Sequence, residues 1–206
     1  MPFATAYARS IGTALQVPLT RPRANSIYNT IARPIRKPNP AQKITLLNQL
    51  VQSASFFATN AQSLLQNQNS FDQWFFSECN ALIRIPFSWQ QAPKNGVATS
   101  HQNITLGIAQ KLLNLALKDW WATNKIQGNN FNYNFLYAPL DSIVADAVSR
   151  YTTMTAISAP YYNLTVFQFQ NYQASLMTLG NRLSNALRLP QALNRIECEQ
   201  LIWGWV

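Results

Sequence analysis

The sequence predicts a mainly α-helical fold: a single domain of five or six helices behind an extended, basic N-terminal arm. Three observations predict it. After Pro40, apolar residues recur at three- and four-residue spacing over long stretches. Clusters of Pro, Gly and Asn separate those stretches. Six of the eleven prolines fall within residues 1–40, a density that blocks long helices there. The chain of 206 residues is 48% apolar, enough for one domain with a substantial core. Only 11% of residues are charged, less than half the usual share, so Asn and Gln take over much of the surface role.

Taken in order, residues 1–40 form the arm, with room for a short helix near Ser26–Ala32, and residues 41–206 form the helical domain. Ile44, Leu47, Val51, Ala54, Leu64 and Leu65 mark the first clear helix, which the polar tract Gln66–Ser70 ends. Ser70 is a candidate N-cap for a second helix that passes through Trp74, Phe75, Cys79 and Leu82 and stops before Pro86. Residues 86–103 carry loop punctuation. A third helix is expected from about Thr105 to Trp121, its stripe made by Ile108, Leu112, Leu115 and Ala116 and widened by Leu113 and Leu117. The alternation of Phe131, Tyr133 and Phe135 fits a short strand or an aromatic loop. Further helices are expected from Asp141 to Tyr151, from Val166 to Leu187 and from Gln191 to Trp203. No internal repeat is present.

Charge is the first functional clue. Sixteen Lys and Arg stand against seven Asp and Glu, a net charge of +9. No acid precedes Asp72, whereas that stretch holds Arg9, Arg21, Arg23, Arg33, Arg36, Lys37 and Lys43. Such an excess points to a polyanionic partner, above all nucleic acid. The acid-free N-terminus shares its composition with organelle transit peptides, and equally fits an arm lying on nucleic acid, the reading preferred here. Cys79 and Cys198 are the only cysteines and His101 the only histidine. Two isolated cysteines suggest reduced core residues and a cytoplasmic location. The usual Cys/His zinc cluster is excluded, and neither a metal nor a cofactor is expected. No apolar run approaches the roughly 18 residues that span a bilayer.

Candidate chemistry concentrates between Gly107 and Asp141. A small-residue turn, Thr105-Leu106-Gly107-Ile108-Ala109, leads into a helix whose first turn is expected to hold Lys111. The positive helix end there disfavours a cation and would favour the free, nucleophilic amine. Thirty residues on, Asp141 stands at a helix start, where it also makes a natural N-cap. Lys111 alone has the ordinary alternative of a solvated helix lysine. Phe131, Tyr133, Phe135 and Tyr137 are candidates for an aromatic pocket or for plain core.

On these residues the chain resembles the helix–hairpin–helix DNA glycosylases, especially the 8-oxoguanine DNA glycosylase branch. In that family a hairpin of the form L-P-G-V-G-x-K opens the helix bearing the catalytic lysine, and a P-V-D motif carries the catalytic aspartate. Here Thr105 to Lys111 reads T-L-G-I-A-Q-K and Pro139 to Asp141 reads P-L-D. Leu106 stands for the hairpin proline, Ala109 for the second glycine, and the Lys-to-Asp interval is longer. More loosely, the chain resembles bacterial and phage proteins with G-x-A-Q-K-x-x-N followed by P-x-D-S.

The resemblance spans about forty residues. It implies a helix–hairpin–helix-like element, Lys111 as nucleophile and Asp141 as the partner carboxylate. Gly107, Ala109, Arg36, Lys37 and Lys118 would contact DNA, and Phe131, Tyr133, Phe135 and Tyr137 would wall the pocket for a flipped base. The implied activity is a DNA glycosylase, and the lysine nucleophile would permit strand cleavage at the abasic site as a second step. It would act as a monomer on DNA, double-stranded in preference to single-stranded. The rival expectations are a non-catalytic nucleic-acid-binding protein of a phage, plasmid or defence system, and a helical module for a protein partner.

Overall fold

The computed structural model describes residues 2–10, 18–31, 35–36, 38–91, 99–152 and 164–204. Helix α5 (Leu106–Ile126) is the axis of the fold, with 15 of its 21 residues buried. A helix apolar on nearly every side must sit inside others, and seven more surround or adjoin it among the described residues. These are α1 (Pro2–Ser10), α2 (Arg21–Ile31), α3 (Pro40–Leu64), α4 (Gln68–Arg84), α6 (Ser142–Tyr151), α7 (Val166–Ala186) and α8 (Arg195–Trp203). α1, α2, α3 and α4 pack directly on α5, and α6, α7 and α8 pack on one another.

The starts of the helices follow local chemistry. Asn39 Oδ1 accepts from the amides of Ala41 and Gln42, with Pro40 in the first turn of α3. Asn67 caps α4 by accepting from Ser70 N, so the cap lies three residues before the expected Ser70. Reciprocal capping boxes open α7 (Thr165 with Gln168) and α8 (Asn194 with Glu197). The latter sets the start of the last helix at Arg195 rather than near Gln191. Asp141 caps α6 as expected.

The N-terminal region departs from the extended arm. Its described part holds two helices, and Ala4, Tyr7, Ala24, Ile27 and Tyr28 are core residues. α2 begins five residues before the expected Ser26. Three prolines that read as breakers occupy the first or second position of α1, α2 and α3, where a missing N–H costs nothing. The expected loop 86–103 also contains structure. β2 (Trp89–Gln91) pairs antiparallel with β1 (Ile35–Arg36) on one side and β3 (Thr99–His101) on the other. Trp89 stacks on His101 with ring centres 4.3 Å apart.

α5 is therefore entered from a strand. Gly107 and Ala109 lie inside its first turns, and Thr105 is its N-cap. The expected helix–hairpin–helix element is not what precedes Lys111. Of the two expectations for Phe131, Tyr133 and Phe135, the strand is not formed: the segment is a loop that holds one 3-10 turn, Tyr133–Phe135. Among the described residues, no helix is long and apolar enough to cross a membrane.

Candidate functional site

Four polar residues interrupt the apolar surface of α5 along its buried length, Gln110, Asn114, Lys118 and Asp119, each at most 3% exposed. Buried polar groups require partners, and these partners build the site. Gln110 Oε1 accepts from Leu140 N and from Asn114 Nδ2, and Gln110 Nε2 donates to Gly107 O. Asn114 Nδ2 also reaches Ala138 O. From the opposite side Gln173 of α7 grips Ala138 twice, donating to its carbonyl at 2.7 Å and accepting from its amide at 3.1 Å. Three side-chain amides thus fix the backbone at Ala138 and Leu140, directly before Asp141.

Arg195 extends the clamp. Its Nη1 donates to Asn134 O at 2.7 Å and its Nε to Gln173 O at 3.2 Å, and its guanidinium lies over the Tyr137 ring. Burial pulls the Arg195 pKa down from the ordinary value, with Tyr137 and Asp72 opposing. This arginine holds the protein's own backbone and is not a surface phosphate contact.

The clamped segment delivers Asp141 to a cleft of about 410 Å³. Lys111 from α5 lines the same cleft, as do Gly107, Glu199, Trp203 and the apolar side chains of Ile31, Ile108, Leu115, Leu140 and Ile143. The lysine and the aspartate singled out in the sequence therefore line one cleft. Asp141 is 9% exposed, and its Oδ1 accepts from Val144 N at 3.0 Å. Asp141 thus both caps α6 and lines the cleft. Lys111 is half-buried and sits one turn deeper in α5 than expected. The field of a helix end fades within the first turn, so the helix terminus gives little reason for an activated amine.

The other candidate residues go elsewhere. Lys118 is 3% exposed, ion-paired to Glu199, and stands over the Tyr7 ring at 4.7 Å. It has no route to a DNA phosphate. The aromatic candidates do not line the cleft. Tyr137 is core, edge-on to Phe71, Phe75 and Phe169, with its hydroxyl donating to Asp72; burial and Asp72 both raise its pKa. Phe131 and Tyr133 pack on Trp120 and border a separate open groove of about 810 Å³ with Lys125, Glu197 and several asparagines. Phe135 is half-buried against the core. Arg36 belongs to β1, and Lys37 lies outside the described residues.

Behind the cleft lies a second buried charge system. Arg23 of α2 forks onto Asp119, Nε to Oδ2 at 2.6 Å and Nη2 to Oδ1 at 2.8 Å, and Tyr7 donates to the same carboxylate at 2.7 Å. Burial first, then the Asp119 charge, pushes the Tyr7 phenol well above its ordinary pKa, so Tyr7 stays a donor. Sequence reasoning missed Gln110, Asn114, Gln173 and Glu199. The signal for the first two was present: amides four residues apart in a helix apolar all round must be buried and therefore bonded. Among the described residues, no group of three His, Cys, Asp or Glu side chains is placed to hold a metal ion. Compared with known proteins, the chain matches no family, no curated protein and no solved structure.

Proposed function

We propose that this protein is a DNA glycosylase that excises a damaged or modified base from duplex DNA, with Lys111 as nucleophile and Asp141 as the stabilising carboxylate. The observation that carries the proposal is that the two side chains line one cleft, although thirty residues separate them. Its volume lies within the range of small-molecule sites, and its walls are largely apolar. A base or sugar entering it leaves water behind, which strengthens every charge interaction inside. The Lys111 amine attacks the sugar C1′ as the C1′–N bond breaks and the base departs. Loss of a proton and opening of the sugar ring then give a Schiff base. Asp141 stabilises the positive charge that develops on the sugar. The net charge of +9 supports attraction to the phosphate backbone outside the cleft.

The test is borohydride trapping on duplexes carrying 8-oxoguanine, other oxidised or methylated bases, or an abasic site. Wild-type protein is expected to form a reducible covalent adduct and to release a base. Lys111→Gln is expected to abolish the adduct. Asp141→Asn is the sharper variant, because asparagine caps a helix as well as aspartate does. It should keep the fold and lose at least about a hundredfold in rate, the order seen when one charge-stabilising group is removed. Salt-dependent DNA binding without any adduct or base release would replace this proposal with the non-catalytic nucleic-acid-binding reading. Absence of DNA binding would remove both.

A further inference from the structure

We propose that the open groove of about 810 Å³ between the segment after α5 and the start of α8 is a second binding site, and that its ligand is an uncharged oligosaccharide. Half of its lining residues are Asn or Gln. Phe131 lines it as well and is only half-buried, its ring packed on Trp120. The groove shares no lining residue with the Lys111–Asp141 cleft, so a failure here leaves the glycosylase reading untouched.

Three of these amides are held at one end and unused at the other. Asn124 Nδ2 donates to Trp120 O, which leaves Asn124 Oδ1 as an acceptor for Asn129 Nδ2 at 2.8 Å. Asn129 Oδ1 then takes no hydrogen bond among the described residues. Asn132 Oδ1 accepts from Asn134 N at 3.3 Å and Asn194 Oδ1 from Glu197 N at 2.9 Å, so each keeps an unused Nδ2. Asn194 is 4% exposed, yet its unbonded Nδ2 retains contact with solvent. The result is one acceptor and two donors restricted in direction before any ligand arrives. The caps themselves do not call for asparagine. Aspartate or serine would cap as well, and what asparagine adds is an amide donor.

Charge decides the ligand class. Among the described residues lining the groove, Lys125 is the one cation and Glu197 the one acid. They pair at 3.5 Å, and Lys125 also stands over the Tyr133 ring at 4.8 Å. With its charges balanced, the groove offers a phosphate no unpaired cation, and binding of a nucleic-acid strand depends on such cations. A sugar hydroxyl donates and accepts at once, which suits amides that present both functions. The less polar face of a sugar ring suits a half-exposed aromatic side chain.

The test titrates the full-length protein calorimetrically with four uncharged probes, maltohexaose, cellohexaose, xylohexaose and chitohexaose, and with an oligothymidylate of the same length. At least one oligosaccharide is expected to bind with a Kd of roughly 1 mM or tighter, and with little dependence on salt. Asn194→Asp and Asn132→Asp keep each cap and replace the donor with an acceptor. Each should weaken that binding about two- to tenfold, the worth of one hydrogen bond. Asn132 caps only a single 3-10 turn, so its variant carries the comparison if Asn194→Asp does not fold. Absence of binding by all four oligosaccharides at about 10 mM overturns the proposal. So does oligosaccharide binding that neither variant weakens. Binding of the oligothymidylate alone, weakened by the same variants, overturns it in favour of a nucleic-acid strand.

Discussion

α5 presents two very different faces to the rest of the molecule. Towards α3, α4 and α7 the core is an aromatic block. Phe75 touches Phe71, Phe76, Tyr137 and Phe169, and Trp120 of α5 meets Phe57 edge-on at 4.9 Å. Towards α1, α2 and α8 the core is a layer of charges, Arg23–Asp119–Tyr7 and Lys118–Glu199. The two faces obey different physics. Dispersion and apolar burial are summed over many weak contacts and degrade gradually. A buried charge satisfied by one partner fails abruptly when that partner is lost. The candidate site adjoins the charged face, where each group has a defined partner and direction.

Three substitutions probe this contrast. The largest effect is expected for Asp119→Ala, which strips Arg23 and Tyr7 of their shared acceptor. Breaking a buried pair on one side costs about 3–5 kcal/mol, and urea denaturation should show it as a large fall in midpoint. Phe75→Leu keeps an apolar group of comparable volume and is expected to cost only about 1–2 kcal/mol by the same measurement. If that order reverses, the contrast between the faces is wrong. Asp146→Asn removes the exposed i,i+4 pair with Arg150 and should shift stability by no more than about 0.5 kcal/mol. This sets the scale of a charge pair that water already satisfies.

The helices after Pro40 were legible in the sequence because their apolar spacing and their caps agree. Asp141 was legible as a cap for the same reason. The N-terminal helices were not. Their prolines read as interruptions until their place at the very start of each helix is seen, and nothing local announces that Arg23 will be buried against a carboxylate 96 residues away. Strands of two and three residues leave no periodicity to detect. Lys118 misled for a related reason. A helix lysine belongs in water unless a distant acid claims it, and Glu199 lies 81 residues further on. The aromatic pocket failed because aromatic residues close to Asp141 in sequence need not line the same cleft. Tyr137 points into the block while Asp141, four residues later, faces the cleft.

The reach of the charged layer along the chain also governs when it can be completed. Tyr7 bonds across 112 residues to Asp119, and Lys118 waits for Glu199. Contacts so distant in sequence form late, because long loops must close before they are rewarded. During synthesis Asp119 emerges after its partners Tyr7 and Arg23, whereas Lys118 stays without Glu199 until α8 has been made. α1 and α8 meet beside α5, and a product lacking α8 would leave one wall of the cleft unbuilt and a buried lysine without its counter-charge. Of the described walls of the cleft, the one from α8 is the last to be made.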